Sequence, residues 1–292
     1  GNDTIDTSEA SRAFVMVGGD GNDVLSGNDS NEVISMDAGN DTINGNGGTD
    51  RIVAQNLKGA VTLNNTLLSN TLVGGLGADS ISGIEEAQLV SGTIAVPGTI
   101  AVQINAKDFS GVVTLAGSNG NDSLTGTANA DVINGGVGND TIKAGGGNDS
   151  LSGGAGTDSI DGEAGDDFLS ETTTGNANIT VTTTQVQGGT PLGTDKYVSI
   201  ASMKFTGGAL ANKIDTKLFL GNVTLLGGDG ADTLISGNGN DSLQGQGGND
   251  FLTGGAGDDI LDGGNGDVDR LIEVFDTSWL LTDIALTGRG ND

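Results

Sequence analysis

The stretch from residue 117 to residue 170 divides without a gap into six nonapeptides: GSNGNDSLT, GTANADVIN, GGVGNDTIK, AGGGNDSLS, GGAGTDSID and GEAGDDFLS. The same repeat occurs four times in 18–53, four times in 227–262 and once in 74–82. In these 15 repeats the eighth position is always Leu or Ile, and the sixth is always Asp except for Glu32. A disordered acidic chain has no reason to space its aliphatic residues nine apart, so the pattern predicts an ordered repeat structure.

Each part of the repeat has a physical role. The Gly-rich first six positions suit a tight turn with positive φ angles, which glycine adopts without a Cβ clash. The last three positions form a minimal strand whose central aliphatic residue points inward. Two repeats make one coil of a flattened solenoid, and stacked coils bury the aliphatic residue that a single repeat cannot. The sequence therefore predicts an all-β fold, a right-handed parallel β-roll or β-solenoid interrupted by β-rich inserts.

Composition excludes several classes of function. The chain has 292 residues, of which 54 are Gly, and its formal net charge is −28. This charge disfavours nucleic acid and anionic membrane surfaces, because phosphate binding needs Lys and Arg. The absence of His and Cys excludes Ser-His and Cys-His nucleophiles and the usual imidazole or thiolate metal sites. No apolar run approaches the roughly 18 residues of a membrane span.

The acidic sixth positions predict a metal. Stacked coils lie about 4.8 Å apart, so bare carboxylates in one column would repel one another. Carboxylates together with turn carbonyls suit Ca²⁺ better than Mg²⁺, which demands a stricter octahedron. With one ion between a repeat and the repeat two positions later, the blocks of four, six and four repeats hold about eight Ca²⁺. The predicted ligands are Asp20, Asp23, Glu32, Asp41, Asp50, Asp79, Asp122, Asp131, Asp140, Asp149, Asp158, Asp167, Asp232, Asp241, Asp250, Asp259 and Asp269.

The repeats resemble the RTX nonapeptide, GGxGxDxUx, of haemolysin-type calcium-binding proteins. The resemblance implies a calcium-binding β-roll that is secreted from bacteria, by type I secretion or to the cell surface, and that folds when it meets calcium outside the cell. It implies a ligand role for the sixth positions of the tandem blocks and for their turn carbonyls. Glu32, Ser30, Asn129 and the Met36-Asp37 pair depart from the pattern.

A longer period joins the blocks to the segments between them. Gly117 and Gly227 begin equivalent blocks 110 residues apart, so the chain contains about two and a half copies of one module. The Thr-rich inserts are expected to add strands to the stack without acidic turns, and Asp79 is expected to lack a tandem neighbour with which to share an ion. The expected divisions are a first block (1–53), an insert with one isolated repeat (54–116), a second block (117–170), an insert (171–226), a third block (227–271) and the start of a further insert (272–292).

Three features suggest other chemistry, and each has a plainer interpretation. Glu85-Glu86 and Asp258-Asp259 could pair for glycoside hydrolysis, but 39 acidic residues make chance pairs common, and we expect no enzyme activity. Trp279 fits a core plug better than a sugar-stacking platform. The threonines of 172–174 and 182–184 fit solvent faces of strands better than a flat polymer-binding ladder.

These observations predict a calcium-binding structural or adhesive segment of a secreted bacterial RTX protein. A surface layer, a fibril and an adhesin stalk are variants of this prediction, with calcium as the partner and self-association or cell-surface polysaccharide as further candidates. The alternatives are the accessory roll of a secreted protease, lipase or alginate epimerase, and the roll of a pore-forming toxin. The alternation of rolls and inserts favours the structural role, because an accessory roll needs only one block.

Overall fold

The computed structural model describes residues 1–57, 59–70, 77–91, 101–174, 176, 178–265 and 268–272. The chain forms two units, one of residues 1–151 with 161–165 and one of residues 152–160 with 166–292. Every regular element within the described ranges is a β-strand. A search of those ranges for a helix long and apolar enough to cross a membrane finds none.

The first unit consists of short strands separated by turns. Strands β16 (Ser150–Ala155) and β17 (Ser159–Ala164) each contribute residues to both units. The strands before them are β1 (Thr4–Asp6), β2 (Val15–Val17), β3 (Val24–Ser26), β4 (Val33–Met36), β5 (Thr42–Asn44), β6 (Arg51–Leu57), β7 (Gly59–Asn64), β8 (Leu67–Asn70), β9 (Gly77–Ser82), β10 (Glu86–Ser91), β11 (Val102–Asp108), β12 (Val112–Ala116), β13 (Ser123–Thr125), β14 (Val132–Val137) and β15 (Thr141–Gly146).

Successive strands of this unit belong alternately to two parallel sheets wherever the repeats are in tandem. One sheet contains β2, β4, β6, β10, β12 and β14 in that order. In the other sheet β1, β3 and β5 are neighbours, and β11, β13 and β15 are neighbours. Register aligns the eighth positions, as in the pairs Leu25–Ile43 and Leu124–Ile142. This arrangement confirms the predicted parallel β-roll with β-rich inserts.

The insert of the first unit contains a reversal that the sequence pattern did not predict. Strands β7, β8 and β9 form an antiparallel meander, in which β9 lies parallel to β5 and β7 lies parallel to β11. The first reversal follows β7, where the Asn64 side chain accepts the backbone N–H of Thr66 at 2.9 Å. This Asx turn explains why the stretch VTLNNTLL forms a hairpin rather than one strand.

The meander changes the position of the isolated repeat. Strand β9 contains its described part, and Ile81 aligns with Ile43 of the first block. The expectation that Asp79 has no stacking neighbour is therefore wrong. The intervening residues form the two extra strands β7 and β8, so β9 pairs directly with the sheet that the first block began.

The second unit has the same kind of strand order. Strand β18 (Phe168–Thr172) is followed by β19 (Asn178–Val181), β20 (Gln185–Gly189), β21 (Gly193–Val198), β22 (Ser202–Thr206), β23 (Lys213–Asp215), β24 (Asn222–Asp229), β25 (Thr233–Ile235), β26 (Ser242–Gly247), β27 (Phe251–Thr253), β28 (Ile260–Asp262) and β29 (Arg270–Ile272). A meander of β19, β20 and β21 precedes parallel strands that again alternate between two sheets.

The threonine runs do not both lie on strand faces. Thr182 donates its backbone N–H to the carbonyl of Gln185, so residues 182–184 form the turn between β19 and β20. Thr173 follows β18 and is buried. The prediction that both runs lie on solvent faces of strands is wrong, because residues 182–184 form the turn between two antiparallel strands.

The core of each unit is a row of aliphatic side chains. The eighth position of every repeat is at most 6% exposed, and most of these side chains are fully buried. Insert strands continue the rows, as with Phe205 and Leu225, which pair across β22 and β24. Burial of these side chains supplies the favourable free energy that each repeat alone would lack.

Close stacking requires glycine in the turns. Gly136 has a φ of +103°, and a Cβ built on it would contact the carbonyl oxygen of Ser118 in the preceding coil. Gly248 in the second unit has a φ of +127° and approaches the carbonyl of Gly230 in the same way. Both the backbone conformation and the lack of space exclude a side chain at these positions.

Candidate metal centre

The sixth-position carboxylates are built into the stacking of the coils. The Oδ1 atom of Asp140 accepts the backbone N–H of Asp122, 18 residues earlier, at 2.7 Å, and Asp149 accepts that of Asp131 in the same way. Each bond ties a carboxylate to the coil before it. We call this series of backbone-to-carboxylate hydrogen bonds between successive coils the ladder. Its further donor–acceptor pairs are Asp23–Asp41, Glu32–Asp50, Asp41–Asp79, Asp232–Asp250, Asp241–Asp259 and Asp250–Asp269.

The second oxygen of several of these carboxylates is buried without a hydrogen-bond partner. Among the described residues this holds for Oδ2 of Asp23, Asp50, Asp79, Asp232 and Asp250. A buried anionic oxygen without a partner destabilises the fold, unless a cation binds it. Carboxylate and carbonyl oxygens are the ligands that Ca²⁺ prefers, so the residues present fit this ion.

The first glycine of the repeat leaves room for the carboxylate. A Cβ built on Gly117 would lie 2.6 Å from Oδ2 of Asp122, and one on Gly153 would lie 2.6 Å from Oδ2 of Asp158. In both repeats the carboxylate therefore packs against the bare backbone five residues before it. This contact gives the first-position glycine a function in the site that is separate from its freedom in φ.

Burial makes the carboxylates hard to ionise in the metal-free fold. The pKa of Asp79 and that of Asp195 are raised to about 7, mainly by loss of hydration and in smaller part by the neighbouring carboxylates of Asp41 and Asp158 respectively. The pKa values of Asp50 and Asp250 are raised to about 6 for the same reasons. A divalent cation favours the charged form and would lower these pKa values.

These pKa shifts predict how the stability of the metal-free protein depends on pH. The metal-free folded state holds protons on Asp79 and Asp195 up to about pH 7, whereas the unfolded chain releases them near the ordinary Asp pKa of 3.8. The free energy of unfolding should therefore fall as pH rises from about 4 through 7. Circular dichroism of the metal-depleted protein should therefore show more β-structure at pH 5 than at pH 8. In calcium this difference should weaken or reverse, and more β-structure at pH 8 than at pH 5 in the metal-free protein would contradict the assignment.

The structure brings most of the predicted ligands into equivalent buried positions. The side chain of Asp20 is exposed and lies outside the ladder. Asp259 and Asp269 are half-buried and accept hydrogen bonds within it. The remaining predicted ligands are at most 4% exposed, namely Asp23, Glu32, Asp41, Asp50, Asp79, Asp122, Asp131, Asp140, Asp149, Asp158, Asp167, Asp232, Asp241 and Asp250.

The carboxylates do not converge in groups. Within the described ranges no three acidic side chains come together in a way that could hold a metal by themselves. An ion with six to eight oxygen ligands would therefore need the turn carbonyls as well, as expected from the sequence. Glu32 makes the same bond within its turn as an Asp does: its Oε2 accepts the N–H of Asn28 at 3.0 Å, as Oδ2 of Asp131 accepts that of Thr127 at 2.6 Å.

Two contributions to the site were missed by sequence reasoning. Position five often holds Asn, whose Oδ1 accepts the N–H of position five in the next coil, as in Asn22 to Asn40 and Asn222 to Asn240. Asp195 is fully buried and accepts the N–H of Asp158 at 2.8 Å, although it lies in an insert. The frequent GND triplet and the Gly-Thr-Asp sequence at 193–195 were the available signals.

Glu171 is a further buried acid that the sequence did not single out. It lies on β18 at 2% exposure, and its Oε1 accepts the N–H of Gly153 at 2.7 Å. Burial raises its pKa to about 8, with the nearby carboxylates of Asp195 and Asp158 adding to the effect. Its two carboxyl oxygens accept backbone N–H groups, so its role in the structure is explained without a metal.

The candidate catalytic pairs do not face a common site. Glu85 accepts the N–H of Asp50, while Glu86 forms an ion pair with Arg51 at 2.5 Å. Asp259 belongs to the ladder, and the side chain of its neighbour Asp258 is exposed. Trp279 lies outside the described residues.

The place of Asp79 in the stack leads to a mutational prediction. Asp79→Ala should raise the calcium concentration needed for folding about as much as Asp41→Ala, because Asp79 accepts the N–H of Asp41 and is equally buried. The control is Asp108→Ala, which removes an exposed carboxylate and should leave the midpoint unchanged. Calcium titrations followed by circular dichroism measure all three, and an Asp79 variant that matches the control would contradict the placement.

Comparison with known proteins agrees with this geometry. A family model described as the RTX calcium-binding nonapeptide repeat matches residues 15–42, 32–56, 66–83, 114–142, 134–169, 220–243 and 235–267. Together these ranges cover more than half of the chain. A search of curated proteins finds no match.

Proposed function

This chain belongs to the family of RTX calcium-binding nonapeptide-repeat proteins, and from that premise we propose that it is a calcium-stiffened structural or adhesive element of a secreted protein at the bacterial cell surface. RTX repeats bind calcium, and proteins that contain them are typically secreted. The observation that carries the proposal is the set of buried carboxylates whose second oxygen has no partner within the chain.

The strand order supports a structural role over an accessory one. Each unit contains parallel roll strands and one antiparallel meander, so the module occurs more than once along the chain. A repeated module is what a spacer, fibril or layer needs, whereas an accessory roll needs a single block. Self-association and binding of cell-surface polysaccharide are the two adhesive modes that the proposal includes.

We infer a number of ions from the ladder. The tandem blocks alone give about eight Ca²⁺, and the pairs Asp41–Asp79, Asp158–Asp195 and Asp250–Asp269 add about three candidates. Equilibrium dialysis against ⁴⁵Ca²⁺ should therefore find between about eight and eleven ions per chain. Fewer than about four would exclude the arrangement in which every second repeat shares an ion.

The cellular role is tested on the bacterium that makes the protein. Antibodies against this segment should label the surface of intact cells, and removal of calcium with EGTA should release the labelled material or abolish adhesion. Antigen found only in the medium, together with a hydrolase or toxin activity of the same polypeptide, would favour the accessory role instead.

The proposal also predicts that the segment has no catalytic activity. The calcium-loaded protein should hydrolyse no polysaccharide, peptide or ester substrate. An activity that survives Asp140→Ala but is lost in Glu86→Gln would assign catalysis to a carboxylate outside the repeats and overturn the functional assignment.

A further inference from the structure

The turn of residues 207–212 is a degenerate copy of the repeat. The sequence GGALANKID at 207–215 has the two leading glycines, and Ile214 at position eight is fully buried. Position six is Asn212 instead of Asp. Its backbone N–H still donates to Oδ1 of Asp232 at 2.7 Å, as a sixth position does throughout the ladder. The family match does not extend to this turn.

The side-chain amide of Asn212 lies in a cage of oxygen atoms. Its Nδ2 is 3.3 Å from the carbonyl oxygen of Gly208 and also donates to that of Leu210. It is 3.5 Å from the carbonyl oxygen of Gly227 and 3.5 Å from Oδ1 of Asp232. The side chain is 3% exposed, so water does not compete for these oxygens. Because all four neighbours are acceptors, only the NH₂ group, and not the amide oxygen, can occupy this position.

We propose that the amide of Asn212 replaces a calcium ion in this turn. Turn carbonyls together with one carboxylate are the oxygen set that suits Ca²⁺. The NH₂ group supplies two positively polarised hydrogens to the same kind of oxygen set, and it is covalently attached to the chain. Once the chain has folded, this turn therefore needs no ion of its own. The inference rests on the proposed function, because it assumes that the turns with Asp at position six bind calcium.

In two turns of the first unit, too, an Asn amide takes the place proposed for a calcium ion. Position six is Phe14 before β2, and there the Nδ2 of Asn28 donates to the carbonyl of Arg12 at 3.0 Å. In the other turn the corresponding residue is Val113, the second residue of β12, whose N–H donates to Oδ1 of Asp131.

In that second turn the amide comes from the next coil. The Nδ2 of Asn129 donates to the carbonyls of Ser110 and Gly111 at 2.9 and 3.0 Å. An Asn amide thus satisfies the turn carbonyls at three turns where position six lacks a carboxylate. Asn129 replaces the usual glycine of position four, and its side-chain amide gives this replacement a function.

The test converts the amide into a carboxylate. Asn212→Asp should bind one more Ca²⁺ per chain than the wild type, measured by equilibrium dialysis with ⁴⁵Ca²⁺ on protein whose β-structure is checked by circular dichroism. The matched control is Asn178→Asp, which makes the same change of charge at an exposed position of β19 outside the acidic turns and should leave the ion count unchanged.

A second variant tests the amide itself. Asn212→Ala should keep the wild-type ion count but raise the calcium concentration at the folding midpoint by up to about twofold, because the turn carbonyls lose their donor. A folded Asn212→Asp protein with the wild-type ion count would overturn the inference, as would an unchanged midpoint in Asn212→Ala. An Asn212→Asp protein that cannot fold in saturating calcium would overturn it too. If the wild type binds no calcium, the proposed function fails; if only the additional ion is missing, this inference alone fails.

Discussion

Without calcium at pH 8, the chain is expected to give the circular dichroism spectrum of an unstructured polypeptide, and millimolar CaCl₂ is expected to convert it to a β-sheet spectrum. The formal net charge of −28 and the buried carboxylates oppose folding of the metal-free chain. Because the unfolded chain does not hold the ligands together, the free energy of calcium binding becomes free energy of folding. This is the largest effect that the structure predicts.

Two controls separate specific binding from screening of charge. MgCl₂ at the same concentration should fold the chain poorly, because Mg²⁺ keeps its waters and demands a stricter geometry. NaCl at matched ionic strength should leave the chain unfolded, since it lowers the repulsion but provides no bound ion. Equal β-content in EGTA and in calcium would refute the prediction.

The second large effect concerns the core. Ile142→Ala should lower the free energy of unfolding by about 2–5 kcal/mol, because it leaves a cavity in a row that is one side chain wide. Ile142 is 1% exposed and aligns with Leu124 on the neighbouring strand β13. Urea denaturation in saturating calcium measures the change.

The neighbouring residue provides the control for this variant. Lys143→Ala removes an exposed side chain from the same strand and should change stability by less than about 0.5 kcal/mol. In a solenoid each coil contacts only its neighbours, so limited proteolysis of Ile142→Ala should begin near β15. If both variants were equally stable, the aliphatic row would not be the core.

Local features of the fold were readable from the sequence because the repeat is local. A turn of six residues and a strand of three fix which side chain faces inward, and this fixed the buried position of Leu124 and Ile142. The same spacing placed Asp122 and Asp131 at equivalent points of their turns, where both are buried. The oxygen chemistry of the predicted ligands followed from residue type alone.

Only the tertiary structure determined which coil each turn stacks on. Asp79 stacks on Asp41 although 38 residues separate them, because the meander of β7, β8 and β9 returns the chain to the first block. Asp195 joins the ladder through a second meander, without a complete repeat to mark it. Asn212 acquires its role from carbonyls in its own turn and from Gly227, 15 residues later. A nine-residue pattern specifies the conformation within one repeat, whereas these contacts depend on strand pairing between distant segments, which the pattern does not encode.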